Sequence, residues 1–75
     1  RIGFSLPRAG AADLSVFDVA GRHVATLYHG EATAGQHSVT WDGRTTGGSL
    51  AASGVYRCVL QSGADRQTKA LVLSR

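Results

Sequence analysis

The feature that most constrains the fold of this chain is that its apolar stretches are short and alternate with small or polar residues. Each stretch is closed by glycine, proline or a small polar residue. Residues 36–41 show the pattern most clearly, because His37, Val39 and Trp41 face one way and polar residues lie between them. A period of two predicts half-buried β-strands, and no window of about eleven residues or more has the 3.6-residue period of a helix.

The spacing of these stretches predicts the fold class. Short strands separated by roughly 8–12 residues are typical of an antiparallel sandwich. We therefore expect an all-β domain of six or seven strands, of the Ig-like or fibronectin-III-like kind. The predicted strands are residues 2–6, 12–18, 23–28, 36–41, 54–61 and 66–74. Residues 30–35 and 44–49 are predicted loops, and Val24 is the surest inward residue of the third strand.

Length and composition limit what the chain can be. Its 75 residues, 43% hydrophobic and 17% charged, fit one small globular domain over residues 1–75. A chain this short is no enzyme of ordinary size, and its apolar runs fall far short of the ~20 residues of a membrane-spanning helix. Because it begins with Arg1 rather than Met, we expect it to be a piece of a longer protein.

Turn residues mark the ends of several predicted strands. Asp18 at a first turn position and Gly21 where a positive φ is needed predict a type I turn with a glycine bulge. Asp42 and Gly43 are predicted to end the strand before them. Gly54 is predicted to bend the chain into the next strand.

The inward phases of the strands predict the core. Tyr56 lies two residues before Cys58, which is the spacing of a tyrosine corner, where the tyrosine hydroxyl bonds to upstream backbone. Trp41 is expected to plug the core at the end of its strand. The predicted core residues are Phe4, Leu14, Val16, Val39, Trp41, Tyr56, Cys58, Leu60 and Leu71.

The sequence predicts no catalytic, metal or cofactor site. His23, His29 and His37 are six and eight residues apart, which matches no common pair of zinc ligands. Cys58, the single cysteine, falls at an inward position in mid-strand, where a thiol is inert. The carboxylates lie at turns and strand edges, where they stabilise turns. We therefore expect no enzyme activity and no cofactor.

The positive charge of the chain does not predict a nucleic-acid partner. The net charge is +3, but the arginines and the lysine are scattered along the sequence. Nucleic-acid interfaces usually carry a basic stripe with aromatic side chains on one face. No targeting segment opens the chain, so any export signal of the parent protein would lie elsewhere.

Five short motifs, taken in order, point to a known family. They are Ile-Gly-Phe-Ser-Leu-Pro at 2–7, Asp-Val-Ala-Gly-Arg at 18–22, Ala-Gly-Gln-His at 34–37, Trp-Asp-Gly-Arg at 41–44 and Ser-Gly-Val-Tyr at 53–56. Together they resemble the FlgD-like Ig-like domain, and the resemblance covers nearly the whole chain. That module occurs in the flagellar hook-capping protein and at the C-termini of many secreted bacterial proteins. It is similar to the C-terminal sorting domains of type IX secretion.

The resemblance implies a non-catalytic C-terminal module of an exported bacterial protein, located outside the cell or on its surface. Such a module would act as a spacer, an anchor or a sorting element. Its partners would be other domains of its parent chain or neighbouring protein subunits. The family often has Asp or Asn in the loop after Trp-Asp-Gly, where this chain has Thr45 and Thr46, so a calcium-like role of that loop is not expected.

Two other functions stay open on the sequence alone. The last strand is apolar in both phases and so needs cover on both faces, which a small sandwich does not supply. This predicts a self-assembly module that packs subunits into an extracellular filament or appendage, with interface residues Phe17, Val55, Val59, Ala70 and Val72. A carbohydrate-binding module would instead use Trp41 and Tyr28 as a stacking platform.

Overall fold

In the computed structural model, which describes residues 2–74, every regular element is a β-strand. The strands are β1 (Ile2–Leu6), β2 (Gly10–Asp18), β3 (His23–Ala32), β4 (Gly35–Val39), β5 (Gly54–Ser62) and β6 (Asp65–Leu73). No helix in this part of the chain is long and apolar enough to cross a membrane.

The strands form two antiparallel sheets that pack face to face. β1 pairs with β4 in a two-stranded sheet, and the four-stranded sheet has the order β3–β2–β5–β6. The hairpins β2–β3 and β5–β6 form its two halves, and the pairing of β2 with β5 joins them. The prediction of a small antiparallel Ig-like sandwich is confirmed.

The core lies between the two sheets and consists of two adjoining clusters. In the first, Phe4 and Leu6 of the small sheet cover buried residues of β2 and β5. In the second, Val16 is fully buried among residues of β3, β5 and the loop before β5. The first cluster is Phe4, Leu6, Ala12, Leu14, Cys58 and Leu60, and the second is Val16, Ala25, Ala51 and Tyr56.

The β2–β3 hairpin is longer than predicted. Residues 30–35 were expected to form a loop, but β3 continues to Ala32, which pairs with Gly10. Ala12 pairs with Gly30 in the same extension. The prediction was wrong because ladder hydrogen bonds join backbone groups, so glycine and alanine can extend a hairpin without an alternating pattern.

Two irregularities in the same hairpin change which residues of β3 face the core. Two residues of β3 have no residue of β2 directly opposite them. Val24 is skipped because Val16 pairs with Ala25 and the next residue, Phe17, pairs with His23. Leu27 is skipped in the same way between the pairs of Leu14 and Ser15. Ala25, only 4% exposed, is the most deeply buried residue of β3, whereas Val24, the predicted inward residue, is half-buried and packs on the second cluster. A bulge places an extra residue on one strand and turns the side chains beside it, which an alternating pattern cannot predict.

The end of β4 also differs from prediction. The strand was expected to reach Trp41 but ends at Val39. Trp41 lies beyond it, and its indole N–H donates a hydrogen bond of 2.9 Å to the carbonyl oxygen of Arg44. A buried or half-buried indole needs an acceptor for its N–H, and here the following loop supplies one.

Candidate interaction surface

The four-stranded sheet has one covered face and one open face. Tyr56, Cys58 and Leu60 of β5 point toward the small sheet and are buried. Because successive side chains of a strand point to opposite faces, Val55 and Val59 lie on the other side. We call this other side, formed by β3, β2, β5 and β6, the outer face.

The residues predicted as an interface all lie on the outer face. Val55 is directly opposite Val72 in the β5–β6 ladder, and their exposed fractions are 51% and 73%. In the next row of the sheet, Arg57 lies between Phe17 of β2 and Ala70 of β6. The structure thus brings residues from three strands into one apolar patch with an arginine in its middle.

Val59 extends this patch toward the other end of the sheet. It lies between Ser15 of β2 and Thr68 of β6. Ser15 is buried, and its hydroxyl donates a 2.9 Å hydrogen bond to the Asp13 carboxylate, so this polar group is satisfied within the sheet. A shallow depression of about 180 Å³ is found here, lined by Asp13, Ser15, Phe17, Val59, Gln61 and Arg66.

Histidines of β3 border the patch on one side. The His23 ring meets the Phe17 ring edge-on, with centroids 5.5 Å apart and an interplanar angle of 81°. Further along, His29 Nδ1 lies 3.3 Å from a carboxylate oxygen of Asp13. Aromatic residues and arginine are enriched in protein–protein interfaces, with polar groups at the rim. The outer face has this composition.

The predicted core residues lie on the inner side of the sandwich. Trp41 packs on the second cluster, and Leu71 contacts both clusters. Phe4, Leu14, Val16, Tyr56, Cys58 and Leu60 are buried, whereas Val39, Trp41 and Leu71 are half-buried.

A tyrosine corner closes one end of this core. The Tyr56 hydroxyl donates a hydrogen bond to the carbonyl oxygen of Ala52, four residues upstream. The predicted corner is confirmed. The Trp41 ring meets Tyr56 edge-on, with centroids 5.1 Å apart and an interplanar angle of 75°.

The two aromatics considered for sugar stacking do not form one platform. Tyr28 packs on the first core cluster, 6.3 Å from the Phe4 ring centroid. Trp41 belongs to the second cluster and is half-buried there. A stacking platform needs an open ring face, and these rings mainly complete the core.

The β2–β3 turn has the predicted geometry. Gly21 has a φ of 85°, a left-handed value, and its N–H donates to the Asp18 carbonyl oxygen at 3.0 Å. One Asp18 carboxylate oxygen accepts hydrogen bonds from the N–H groups of Ala20 (3.0 Å) and Arg22 (2.9 Å). The other accepts from Arg22 Nε at 3.1 Å. The backbone N–H of Arg22 is the main reason why the pKa of Asp18 lies below its ordinary value.

The other predicted turn residues lie in and after the loop that follows β4. An Asp42 carboxylate oxygen accepts the Arg44 N–H at 3.0 Å. Gly43 is buried with a φ of 78°, and its carbonyl oxygen accepts the Ala51 N–H at 2.8 Å. Gly54 is the exposed first residue of β5.

Thr45 and Thr46 bind this loop to itself and to β3. The Thr46 N–H donates to the Val24 carbonyl oxygen at 3.0 Å, and the Thr46 hydroxyl accepts from the Thr26 N–H at 3.3 Å. The Thr45 hydroxyl accepts from the Ser49 N–H at 3.2 Å. The hydroxyls therefore shape the loop by local hydrogen bonds.

The histidines and the cysteine do not converge. His37 donates from Nε2 to the Thr33 carbonyl oxygen at 2.7 Å and stacks on Phe4, away from the outer-face histidines. Among residues 2–74, no group of three or more His, Cys, Asp or Glu side chains could hold a metal ion. Burial raises the pKa of the Cys58 thiol, and nearby Lys69 opposes this more weakly. A neutral, buried thiol is a poor nucleophile.

Several core residues were missed from the sequence. Leu6 is 3% exposed, and its alternation with Phe4 was a signal that could have placed it in the core. Three buried alanines, Ala12, Ala25 and Ala51, gave no such signal. Alanine is common in cores and on surfaces alike, so burial of a methyl group depends on how close neighbouring backbones come.

Comparisons with known proteins identify the family of this chain. The profile of the FlgD Ig-like domain matches residues 1–65. Over 48 residues, 64% of this chain and 21% of the relative, the sequence is 44% identical to the basal-body rod modification protein FlgD of Escherichia coli strain K12. The matched segment thus spans about a fifth of that relative's length. No solved structure matches the chain. Since the family profile covers most of a sandwich with the expected turns and tyrosine corner, the chain belongs to the FlgD Ig-like domain family.

Proposed function

We propose that this chain is a non-catalytic structural module of an exported bacterial protein, and that it makes protein–protein contacts through its outer face. Within its parent it would act as a spacer, an anchor or a sorting element outside the cell or on its surface. The observation that carries the proposal is the apolar patch on the outer face, formed by Phe17, Val55, Val59, Ala70 and Val72.

The energetics of this patch favour a covered state. Val55 and Val72 face each other across the ladder and are more than half exposed. Full burial of a valine side chain contributes about 1.5–3 kcal/mol relative to exposure. Two opposed valines beside an exposed Ala70 and a half-buried Phe17 would therefore contribute substantially to binding.

The relative supports a structural role. The Escherichia coli protein is named for modification of the basal-body rod. For this chain we propose the same general kind of role, contact with neighbouring subunits or domains.

Photo-crosslinking in the intact parent protein tests this function. A benzophenone amino acid at position 72, on the outer face, is expected to crosslink a neighbouring subunit or domain. The same group at position 19 is the matched control, because Val19 is 74% exposed but lies in the β2–β3 turn. Equal crosslinking from both positions, or none from either, would contradict the proposal.

Self-assembly is the second candidate, because Ala70 and Val72 place the patch next to the sheet edge formed by β6. A second copy could then pack face to face on the same residues. Sedimentation velocity over a concentration series should show association of the unmodified chain and of Val19→Asp, but not of Val72→Asp. A chain that stays monomeric throughout would reject self-assembly and leave a different protein as the partner.

A further inference from the structure

The small sheet has an open edge on the side of β6. β1 has only β4 as a strand neighbour, so one row of its backbone groups is not paired with another strand. In an antiparallel pair, alternate residues direct their N–H and C=O groups toward the partner strand. The carbonyl oxygens of Gly3 and Ser5 accept hydrogen bonds from β6. The backbone N–H and C=O groups of these two residues therefore point away from β4.

The donors from β6 are side chains rather than backbone. Gln67 Nε2 donates to the Ser5 carbonyl oxygen at 3.3 Å, and Lys69 Nζ donates to the Gly3 carbonyl oxygen at 3.2 Å. Both side chains belong to exposed residues. Long, exposed side chains lose entropy when they are held in such bonds, so these contacts are weak and easily exchanged. They occupy the edge where a strand could bind.

A groove follows this edge. Its outer part, about 270 Å³, is lined by Gly3, Phe4, Ser5, Gln36, His37, Gln67 and Lys69. A narrow continuation reaches the core between β1 and β5, past Ile2, Leu14, Cys58 and Leu60. The groove thus offers a row of backbone groups, the source of affinity in β-strand addition, above an apolar floor whose opening of about 10 Å³ is too small to admit a side chain.

The charge of the groove indicates what kind of strand fits. Lys69 is the one Lys or Arg among its described lining residues, and no Asp or Glu lines it. An acidic side chain next to Lys69 would replace the bond to Gly3 with an ion pair. The side chains two positions before and two positions after it, which share its face of the added strand, would lie over the apolar floor.

β3, an edge strand of the four-stranded sheet, is less suited than β1 to pairing with an added strand. Its pairing with β2 contains the two register shifts at Val24 and Leu27, and bulges twist an edge away from regular pairing. The hydrogen bond from the Thr46 N–H to the Val24 carbonyl oxygen also occupies part of that edge. β1 pairs with β4 without a register shift.

We propose that β1 accepts an extended, acidic segment of a partner polypeptide as a third strand of the small sheet, along the edge formed by Gly3 and Ser5. The backbone of the segment replaces the Gln67 and Lys69 side chains, and its acidic side chain pairs with the freed Lys69 ammonium. This site lies on the other sheet from the outer face and does not depend on the function proposed above.

A single substitution can close this edge without breaking the small sheet. Ser5→Pro removes the N–H that faces the groove, and the Ser5 side chain is exposed. Proline is tolerated on an edge strand when its missing N–H would have faced away from the neighbouring strand. Ser5→Ala keeps the N–H and is the matched control. Urea unfolding of both variants verifies that they remain folded.

The probe is an extended peptide of about eight residues, a common strand length. Valine and threonine alternate along it, and glutamate replaces one central valine, so that the glutamate and the valines share one face. Two further peptides carry lysine in place of the glutamate, or N-methyl groups on alternate amides. In an NMR titration of the whole chain, the glutamate peptide should slow amide exchange at Gly3 and Ser5 and shift the Gln67 and Lys69 side-chain signals. Ser5→Ala should bind equally, whereas Ser5→Pro should bind about tenfold more weakly or worse, as expected for loss of a backbone hydrogen bond and a steric clash.

Three results would overturn the proposal. One is equal binding by Ser5→Pro and Ser5→Ala. Another is equal binding of the glutamate, lysine and N-methylated peptides, which would show that neither charge nor backbone pairing matters. The third is absence of binding, or signal changes confined to the outer face or to the outer edge of β3 or β6.

Discussion

The Tyr56 hydroxyl donates a hydrogen bond to the carbonyl oxygen of Ala52, and this contact fixes the path of the chain where it enters β5. Tyr56 is 7% exposed and packs in the second core cluster. The bond therefore joins a buried strand residue to an exposed loop residue. It holds the loop over the open end of the sandwich.

Tyr56→Phe should destabilise the domain by about 0.5–1.5 kcal/mol, because it removes one intramolecular hydrogen bond and keeps the ring. Urea unfolding measures the change. The matched control is Tyr28→Phe, since the Tyr28 hydroxyl also donates to a carbonyl oxygen, that of Glu31 in the same strand. That contact is local and exposed, so its loss should change stability by less than about 0.5 kcal/mol. Equal losses would show that the corner has no special role.

This corner also shows what sequence reasoning could establish. The spacing of Tyr56 and Cys58 predicted the hydrogen bond, and the Asp18 and Gly21 pattern predicted the turn. Both motifs are local, so their geometry follows from a few neighbouring residues. The two-sheet arrangement was likewise predictable, because alternating strands with an apolar side must be covered.

Other features were not predictable because they depend on contacts between distant segments. The bulges at Val24 and Leu27 arise from how β3 fits β2. Burial of Ala51 depends on the loop that returns to Gly43 through a backbone hydrogen bond. For the outer face, the apolar residues were identifiable from sequence, but their assembly into one patch required the register of β2, β5 and β6.

Leu14→Ala should be among the most destabilising substitutions. Leu14 is 2% exposed and lies in the first core cluster between the two sheets. Truncating a buried leucine to alanine costs about 2–5 kcal/mol, because apolar contacts are lost and a cavity remains. The control is Leu50→Ala, since Leu50 is 61% exposed and its truncation should cost less than about 0.5 kcal/mol. Similar thermal midpoints for both variants would contradict the assigned core.

Gly21→Ala should destabilise the β2–β3 hairpin by about 1–2 kcal/mol, the cost of a left-handed backbone for a residue with a Cβ atom. A Cβ at this position would touch nothing within 4 Å, so the loss would come from the backbone conformation alone. Gly47→Ala is the control, because Gly47 has no positive φ and its nearest neighbour, Thr45 Oγ1, would be 3.9 Å from the new Cβ. Denaturant midpoints should therefore fall for the first variant only. A comparable fall in both would show that the left-handed conformation of Gly21 is not the cause of the loss.

The stability of the domain should depend on pH through Asp18. Hydrogen bonds from Arg22, chiefly from its backbone N–H, lower the pKa of this carboxyl in the folded state. Folding therefore favours the ionised form, and the resulting stabilisation is present above the unfolded-state pKa of about 3.9. It is lost as the pH falls through the lower folded-state pKa.

In Asp18→Asn the side-chain oxygen can still accept hydrogen bonds, but the charge is absent. At about pH 7 the urea midpoint of the wild type should be higher than that of Asp18→Asn. The difference between the two midpoints should disappear as the pH falls to about 2. Arg22→Gln keeps the backbone donor and should retain most of this pH dependence. A difference between wild type and Asp18→Asn that stayed constant over the whole range would show that the charge of Asp18 does not stabilise the turn.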